Sequence, residues 1–165
     1  MTTGRNEAVT KSSEQKLSTA ENKQLSPMER EYWDGRYATK EFVWTASANR
    51  FVAAEVASLS PGRALDLAAG EGRNAVWLAE RGWSVRAVDF SSIAIEKGKQ
   101  LAAERNVSSK IDFQVADLRN YEPDMGVFDL VTLIYLQIPQ AELAPILARA
   151  AGGRGAERHV SARCP

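Results

Sequence analysis

At 165 residues the chain has room for one domain of the usual ~100–200 residues and too few for two. Its 21 basic and 21 acidic side chains cancel, so no strongly charged face is expected to draw it to nucleic acid or an anionic membrane. The composition is 44% hydrophobic, yet no apolar run approaches the ~20 residues of a membrane-spanning helix, which points to a cytoplasmic globular protein. The lone cysteine, Cys164, excludes an internal disulfide.

In chain order, residues 1–26 are rich in Thr, Ser, Lys, Glu and Gln and read as a disordered leader. Order is expected from "SPMEREYWDGRY", where Ser26, Pro27 and Glu29 fit an N-cap, the first helical position and the third. A short helix bearing Met28, Tyr32 and Trp33 follows, then a loop, "ATKEFVWTAS". "NRFVAAEVASL" places Phe51, Val52, Val56 and Leu59 near one face of a second helix, and "SPG" at 60–62 breaks the chain. Strand and helix patterns then alternate: "RALDLA", "NAVWLAERG", "WSVRAVDF", "SIAIEKGKQLAAERN", "KIDFQVAD", "FDLVTLIYL" and "QAELAPILARAA". Such alternation predicts right-handed crossovers and a doubly wound, Rossmann-like parallel sheet with helices on both faces, a three-layer α/β/α domain over residues 27–151. After Ala151 the text "GGRGAERHVSARCP" has no strand-like apolar run. Residues 152–165 are therefore expected to be an irregular tail, either flexible or marking a truncated or frame-shifted end, and the sheet to stop at its fourth strand. The apolar edge "DLVTLIYL" would then be open to another chain.

Ligands of open parallel sheets bind at the carboxyl ends of the strands, and three predicted strands end at an acid: Asp66, Asp89 and Asp117. Each alone is explained as readily by a turn or a helix cap; three in register point to a site. Asp89, ending the second strand, can accept both hydroxyl hydrogens of a ribose, while Ser91 or Ser92 caps the next helix and leaves that carboxylate free. Gly70 and Gly72 provide a turn that lets backbone approach a ligand. "GEGRNA" also fits the dinucleotide pattern G-x-G-x-x-A, which keeps an NAD-linked oxidoreductase open. Against it, Asp66 four positions before Gly70 would repel a pyrophosphate and welcome a cationic sulfonium amino acid.

On "YWDGRY", "ALDLAAGEGRNAVWLAERGWSVRAVDFS" and "ADL", the chain from about Tyr32 to Ala151 resembles class I S-adenosylmethionine-dependent methyltransferases. It is similar to the small-molecule group of tellurite-resistance and thiopurine-type enzymes. The resemblance implies that Asp66, Ala68, Gly70 and Gly72 hold the methionine part of S-adenosylmethionine. It implies Asp89 at the ribose with Phe90 beside the adenine, and Asp117 near the adenine amino group with Leu118 as neighbour. Tyr135 to Gln137 would face the methyl end, and the N-terminal aromatics, Tyr37 and Trp44 among them, would fold over the pocket as a lid. Ala68 departs from the family's usual first glycine, tolerable if its φ is negative, and the family's last three strands have no recognisable counterpart.

Methyl transfer to a small molecule is the expected activity, with a non-catalytic cofactor-binding remnant as another possibility. No catalytic base is assigned. His159 lies in the tail and is expected to be solvent-exposed. Trp33 is expected to pack the first helix on the sheet, Trp77 and Trp83 to be structural, and no metal site is expected because spacings such as CxxC are absent. The oligomeric state is not set by the sequence.

Overall fold

The computed structural model describes residue 26 and residues 29–39 and 41–163, with side chains through residue 153. The leader through residue 25, Pro27, Met28 and Cys164 lie outside the described residues, as does the side chain of His159. The elements are α1 (Arg30–Tyr37), α2 (Arg50–Val56), β1 (Arg63–Leu67), α3 (Arg73–Glu80), β2 (Ser84–Asp89), α4 (Ser92–Glu104), β3 (Ile111–Val115), β4 (Phe128–Ile134), α5 (Gln140–Gly152) and β5 (Arg154–Arg163). All pairings are parallel, in the order β3-β2-β1-β4-β5.

Alternation along each strand sorts the apolar side chains into two layers. Ala64, Val85, Ala87 and Leu130 pack with Val52 and Val56 of α2, Ala75, Leu78 and Ala79 of α3, and Leu101 and Ala102 of α4. Leu65, Leu67, Val88, Val131 and Leu133 point the other way, onto Ile146 and Ala150 of α5. The sheet is thus covered on both faces, as the alternating periods imply. Among the described residues, no helix is long and apolar enough to cross a membrane.

The helix starts follow local chemistry. Asn49 caps α2, its Oδ1 accepting the Phe51 N–H at 2.9 Å, and Ser91 caps α4, its Oγ accepting the Ala94 N–H at 3.1 Å. Near Ser26 the capping contact forms ahead of the helix: the Ser26 N–H donates to Glu29 Oε2 at 2.9 Å, and α1 begins only at Arg30.

At the C-terminus the structure differs from expectation. Residues 154–163 are not an irregular tail but a strand, β5, parallel to β4, with a register shift between Phe128 and Leu130. α5 brings the chain back beside the open row of amides and carbonyls on β4, and backbone pairing demands no particular side chains. The sheet therefore ends on β5.

The turn between β1 and α3 is left-handed at three positions: Ala68 (φ 53°), Gly70 (φ 55°) and Gly72 (φ 73°). Ala68 does not have the negative φ that would make its methyl group harmless, so the departure from glycine carries backbone strain. Gly72 has a packing role: a Cβ there would stand 3.0 Å from Phe113 Cε1 and 3.3 Å from the Gly98 Cα. Its bare backbone, and that of Gly98, let α3 and α4 close over Phe113 of β3. Opposite signs are therefore expected for two substitutions. Ala68→Gly should raise unfolding stability by about 1 kcal/mol, and Gly72→Ala should lower it by about 2 kcal/mol or more. Urea unfolding checks both, and a neutral Ala68→Gly would contradict the strained turn.

Candidate functional site

The strand order turns at β1: β2 lies on one side and β4, reached after β3, on the other. β1 and β4 stay paired to Leu67 and Leu133, so it is the loops leaving their carboxyl ends that diverge, the usual place for a ligand crevice. A cleft opens there, and ten of the twelve predicted site residues line it: Ala68, Gly70, Asp89, Phe90, Asp117, Leu118, Tyr135, and the lid and substrate candidates Tyr37, Trp44 and Gln137. Trp33, expected only to pack α1, also lines it, stacked on Tyr37 with ring centroids 5.7 Å apart. Trp77 and Trp83 join the core as expected. Gly72 faces α4 instead of the cleft.

Asp66 is the other residue outside the lining. It lies beneath the cleft, 1% exposed, with Oδ1 accepting the Thr132 hydroxyl at 2.6 Å and Oδ2 without a hydrogen-bond partner among the described residues. Burial raises its pKa to about 6; the Thr132 hydrogen bond opposes the rise and the charge of Asp89 adds to it. Asp89 reaches the cleft, but its carboxylate is not free as anticipated. Its Oδ2 accepts the Gly70 N–H at 2.8 Å and its Oδ1 the Ser91 N–H at 2.9 Å. Both bonds stiffen the junction of the two turns, and each oxygen retains a second acceptor direction toward the cleft. Burial raises the pKa of Asp89, too, to about 6, partly offset by the Ser91 and Gly70 amides.

Asp117 combines its two readings. It lines the cleft while Oδ1 accepts the Arg119 N–H at 2.9 Å, a local turn, and the Arg119 side chain lies 3.6 Å from Oδ2. Tyr135, just past β4, has φ 61°, an unusual value for an aromatic residue and a cost borne at the cleft wall. Its ring stacks on Trp44 at 6.2 Å between centroids. Burial raises the pKa of Tyr37 above its usual value, with the charge of Asp89 adding to the effect, so its hydroxyl keeps its proton.

Sequence reasoning missed what holds the N-terminal segment in place. Glu71, in the middle of the glycine turn, is 2% exposed, and its carboxylate accepts the Val43 N–H at 3.1 Å and the Trp44 N–H at 3.3 Å. Lys97 of α4 pairs with it at 2.7 Å and also donates to the carbonyls of Tyr37, Thr39 and Glu41. Two further ties flank these: the Ser91 hydroxyl donates to Asp34 of α1, and Asn74 Oδ1 accepts the Asn49 N–H at 2.9 Å. The available signals were an ionisable residue inside a turn expected to be bare and a lysine beside the apolar face of α4. Among the described residues, no group of His, Cys, Asp and Glu could hold a metal ion.

Comparison with known proteins bears on what this cleft is for. The sequence matches the family model of the methyltransferase domain over residues 64–152, more than half of the chain. The chain belongs to the methyltransferase-domain family. Its relatives include the 2-heptyl-1-hydroxyquinolin-4(1H)-one methyltransferase of Mycobacteroides abscessus, 37% identical over 70 residues, which are 42% of this chain and 30% of that protein. Another is the ribosomal RNA small subunit methyltransferase C of Alcanivorax borkumensis, 34% identical over 71 residues, or 43% of this chain and 21% of that one. In structure the chain is similar to the phosphoethanolamine N-methyltransferase 1 of Haemonchus contortus, solved with phosphoethanolamine and S-adenosylhomocysteine. That likeness has a TM-score of 0.68 at 22% identity and covers 82% of this chain and 31% of the other. The chain thus spans about a third or less of the length of these relatives. The structural likeness confirms the Rossmann-like fold.

The two buried carboxylates predict the pH dependence of the ligand-free methyltransferase domain. Burial holds the carboxyls of Asp66 and Asp89 at pKa values of about 6 in the folded state, against 3.8 for an aspartate exposed to water. Between those values the folded state binds more protons than the unfolded one, so stability falls as pH rises from about 4 to about 6 and levels off above. Urea unfolding across this window checks it: Asp89→Asn should flatten the decline, and an equally steep decline in the variant would contradict the assignment.

Proposed function

We propose that this methyltransferase domain binds S-adenosylmethionine in the cleft and passes its methyl group to a small-molecule acceptor, as in the tellurite-resistance and thiopurine-type group. Asp89 carries the reading. It is a carboxylate at the end of β2, it lines the cleft, and after two backbone N–H bonds it still has one acceptor direction on each oxygen. Two vicinal ribose hydroxyls supply the matching donors.

Other features fit the same cofactor. At Gly70 a Cβ would stand 3.0 Å from the Tyr37 hydroxyl, so only bare backbone leaves that part of the cleft open. Asp66, beneath the turn with an orphaned Oδ2, favours a cation above it and disfavours a pyrophosphate. Phe90 and Leu118 offer apolar walls for a purine, beside Asp117 as an acceptor for an exocyclic amine. When bound, the cofactor supplies an electrophilic sulfonium methyl group. The chain's own part is proximity and exclusion of water: the segment from Tyr37 to Trp44 roofs the cleft, and Trp44, Tyr135 and Gln137 surround the space for an acceptor. No side chain is assigned as general base. The balance of charges favours a small molecule over a nucleic acid as acceptor.

Calorimetric titration of S-adenosylhomocysteine and, separately, NAD tests the reading. Saturable binding of the first alone is expected, weakened roughly 10–100-fold in Asp89→Asn, the worth of hydrogen bonds to a charged acceptor. Binding of NAD alone would favour an oxidoreductase, and binding of neither by folded protein would overturn the proposal.

A further inference from the structure

Between β3 and β4 the chain runs through residues 116–127 without helix or strand, and its carbonyls need partners from elsewhere. The first part of this stretch forms one wall of the cleft, with Asp117, Leu118 and Arg119 in the lining. A turn shapes it locally: the Asn120 N–H donates to the Asp117 carbonyl at 3.0 Å and the Arg119 N–H to Asp117 Oδ1 at 2.9 Å.

The partners come from one side chain of α5. Arg149, in the last turn of that helix, donates from Nη2 to the carbonyls of Leu118 at 2.8 Å and Arg119 at 2.9 Å, and from Nε to that of Tyr121 at 3.1 Å. The carboxylate of the exposed Glu122 lies 3.6 Å from the same Nε. Arg149 itself is outside the cleft lining. Leu118 and Tyr121 also pack with Ile146 and Ala150 of α5. That apolar contact would hold the wall against the helix in any of several orientations, because burial is non-directional. Three carbonyls on one planar fork of donors fix the orientation of the peptide groups, and with it the direction in which Asp117 and Leu118 enter the cleft. A second tie, Arg119 Nε to Glu142 Oε2 at 2.9 Å, is more than a third exposed at both side chains and contributes less.

We infer that Arg149 is a positioning residue for the purine end of the ligand: from behind the wall it holds Asp117 where its carboxylate accepts from an exocyclic amine. The inference rests on the cofactor reading proposed above.

The test compares calorimetric affinities of the full chain for S-adenosylhomocysteine and for S-inosylhomocysteine, in which a ring carbonyl replaces the exocyclic amine. The unsubstituted chain should favour the first by roughly 10-fold, the worth of one hydrogen bond to a charged acceptor. In Arg149→Gln, whose side chain cannot serve three carbonyls, affinity for S-adenosylhomocysteine should fall by about that factor and affinity for S-inosylhomocysteine much less, bringing the ratio toward one. Arg149→Lys should keep part of the preference. Urea unfolding of each variant reports separately the stability that a purely structural arginine would contribute; such a role leaves the ratio of affinities unchanged. If Arg149→Gln does not fold, Arg149→Lys carries the comparison, with a reduced ratio as the expected result. Equal affinities in the unsubstituted chain, or a ratio unchanged in a folded variant, would overturn this inference alone. Binding of neither nucleoside by the folded, unsubstituted chain would overturn the cofactor reading and this inference with it.

Discussion

The cleft depends on one buried ion pair. Glu71 stands in the glycine turn after β1, and Lys97 reaches it from α4 at 2.7 Å. Between them they bond to two amides and three carbonyls of the chain between Tyr37 and Trp44. That segment has no regular secondary structure through residues 41–48, and these two side chains satisfy the Val43 and Trp44 amides and the Glu41 carbonyl within it. The pair ties the glycine turn to the segment that carries Tyr37 and Trp44, two side chains of the cleft lining. Because the charges are buried and matched, removing either would strand the other in a poorly solvating environment, which typically costs about 3–5 kcal/mol.

Around this pair the site accumulates local costs that the sheet and its two apolar layers offset. Ala68 and Tyr135 adopt left-handed backbone, Asp66 and Asp89 are held with pKa values near 6, and Arg73 lies half-buried beside Trp44. None of these would be favoured in a chain optimised only for stability. These costs meet at the carboxyl ends of β1, β2 and β4, where the cleft opens, as is expected of a ligand site.

Much of the architecture was legible because hydrophobic period is a local property. The run from Arg63 to Ala151 alternates between strand and helix patterns, and the observed elements follow it closely. The acids at the strand ends were legible for the same reason: Asp66 and Asp89 each follow a short apolar run. Less could be read where the answer depended on distant partners. Glu71 meets Val43 and Lys97 across 28 and 26 positions of sequence, which no local pattern reports. Gly72 could serve ligand approach or helix packing, and only the position of Phe113 separates them. β5 was missed because its pairing comes from the open edge of β4, while its own residues carry no strand-like alternation. The φ of Ala68 depended on how the whole turn closes.

Amide hydrogen exchange at Val43 and Trp44, compared between the unsubstituted chain and Glu71→Gln, tests the central claim that a carboxylate in the turn holds the roof of the cleft. Slow exchange at both amides in the unsubstituted chain is predicted, accelerating at least 10-fold in Glu71→Gln while amides of β1 and β4 exchange as before. Exchange at the rate of an unstructured peptide in the unsubstituted chain, or equal protection in the variant, would contradict it.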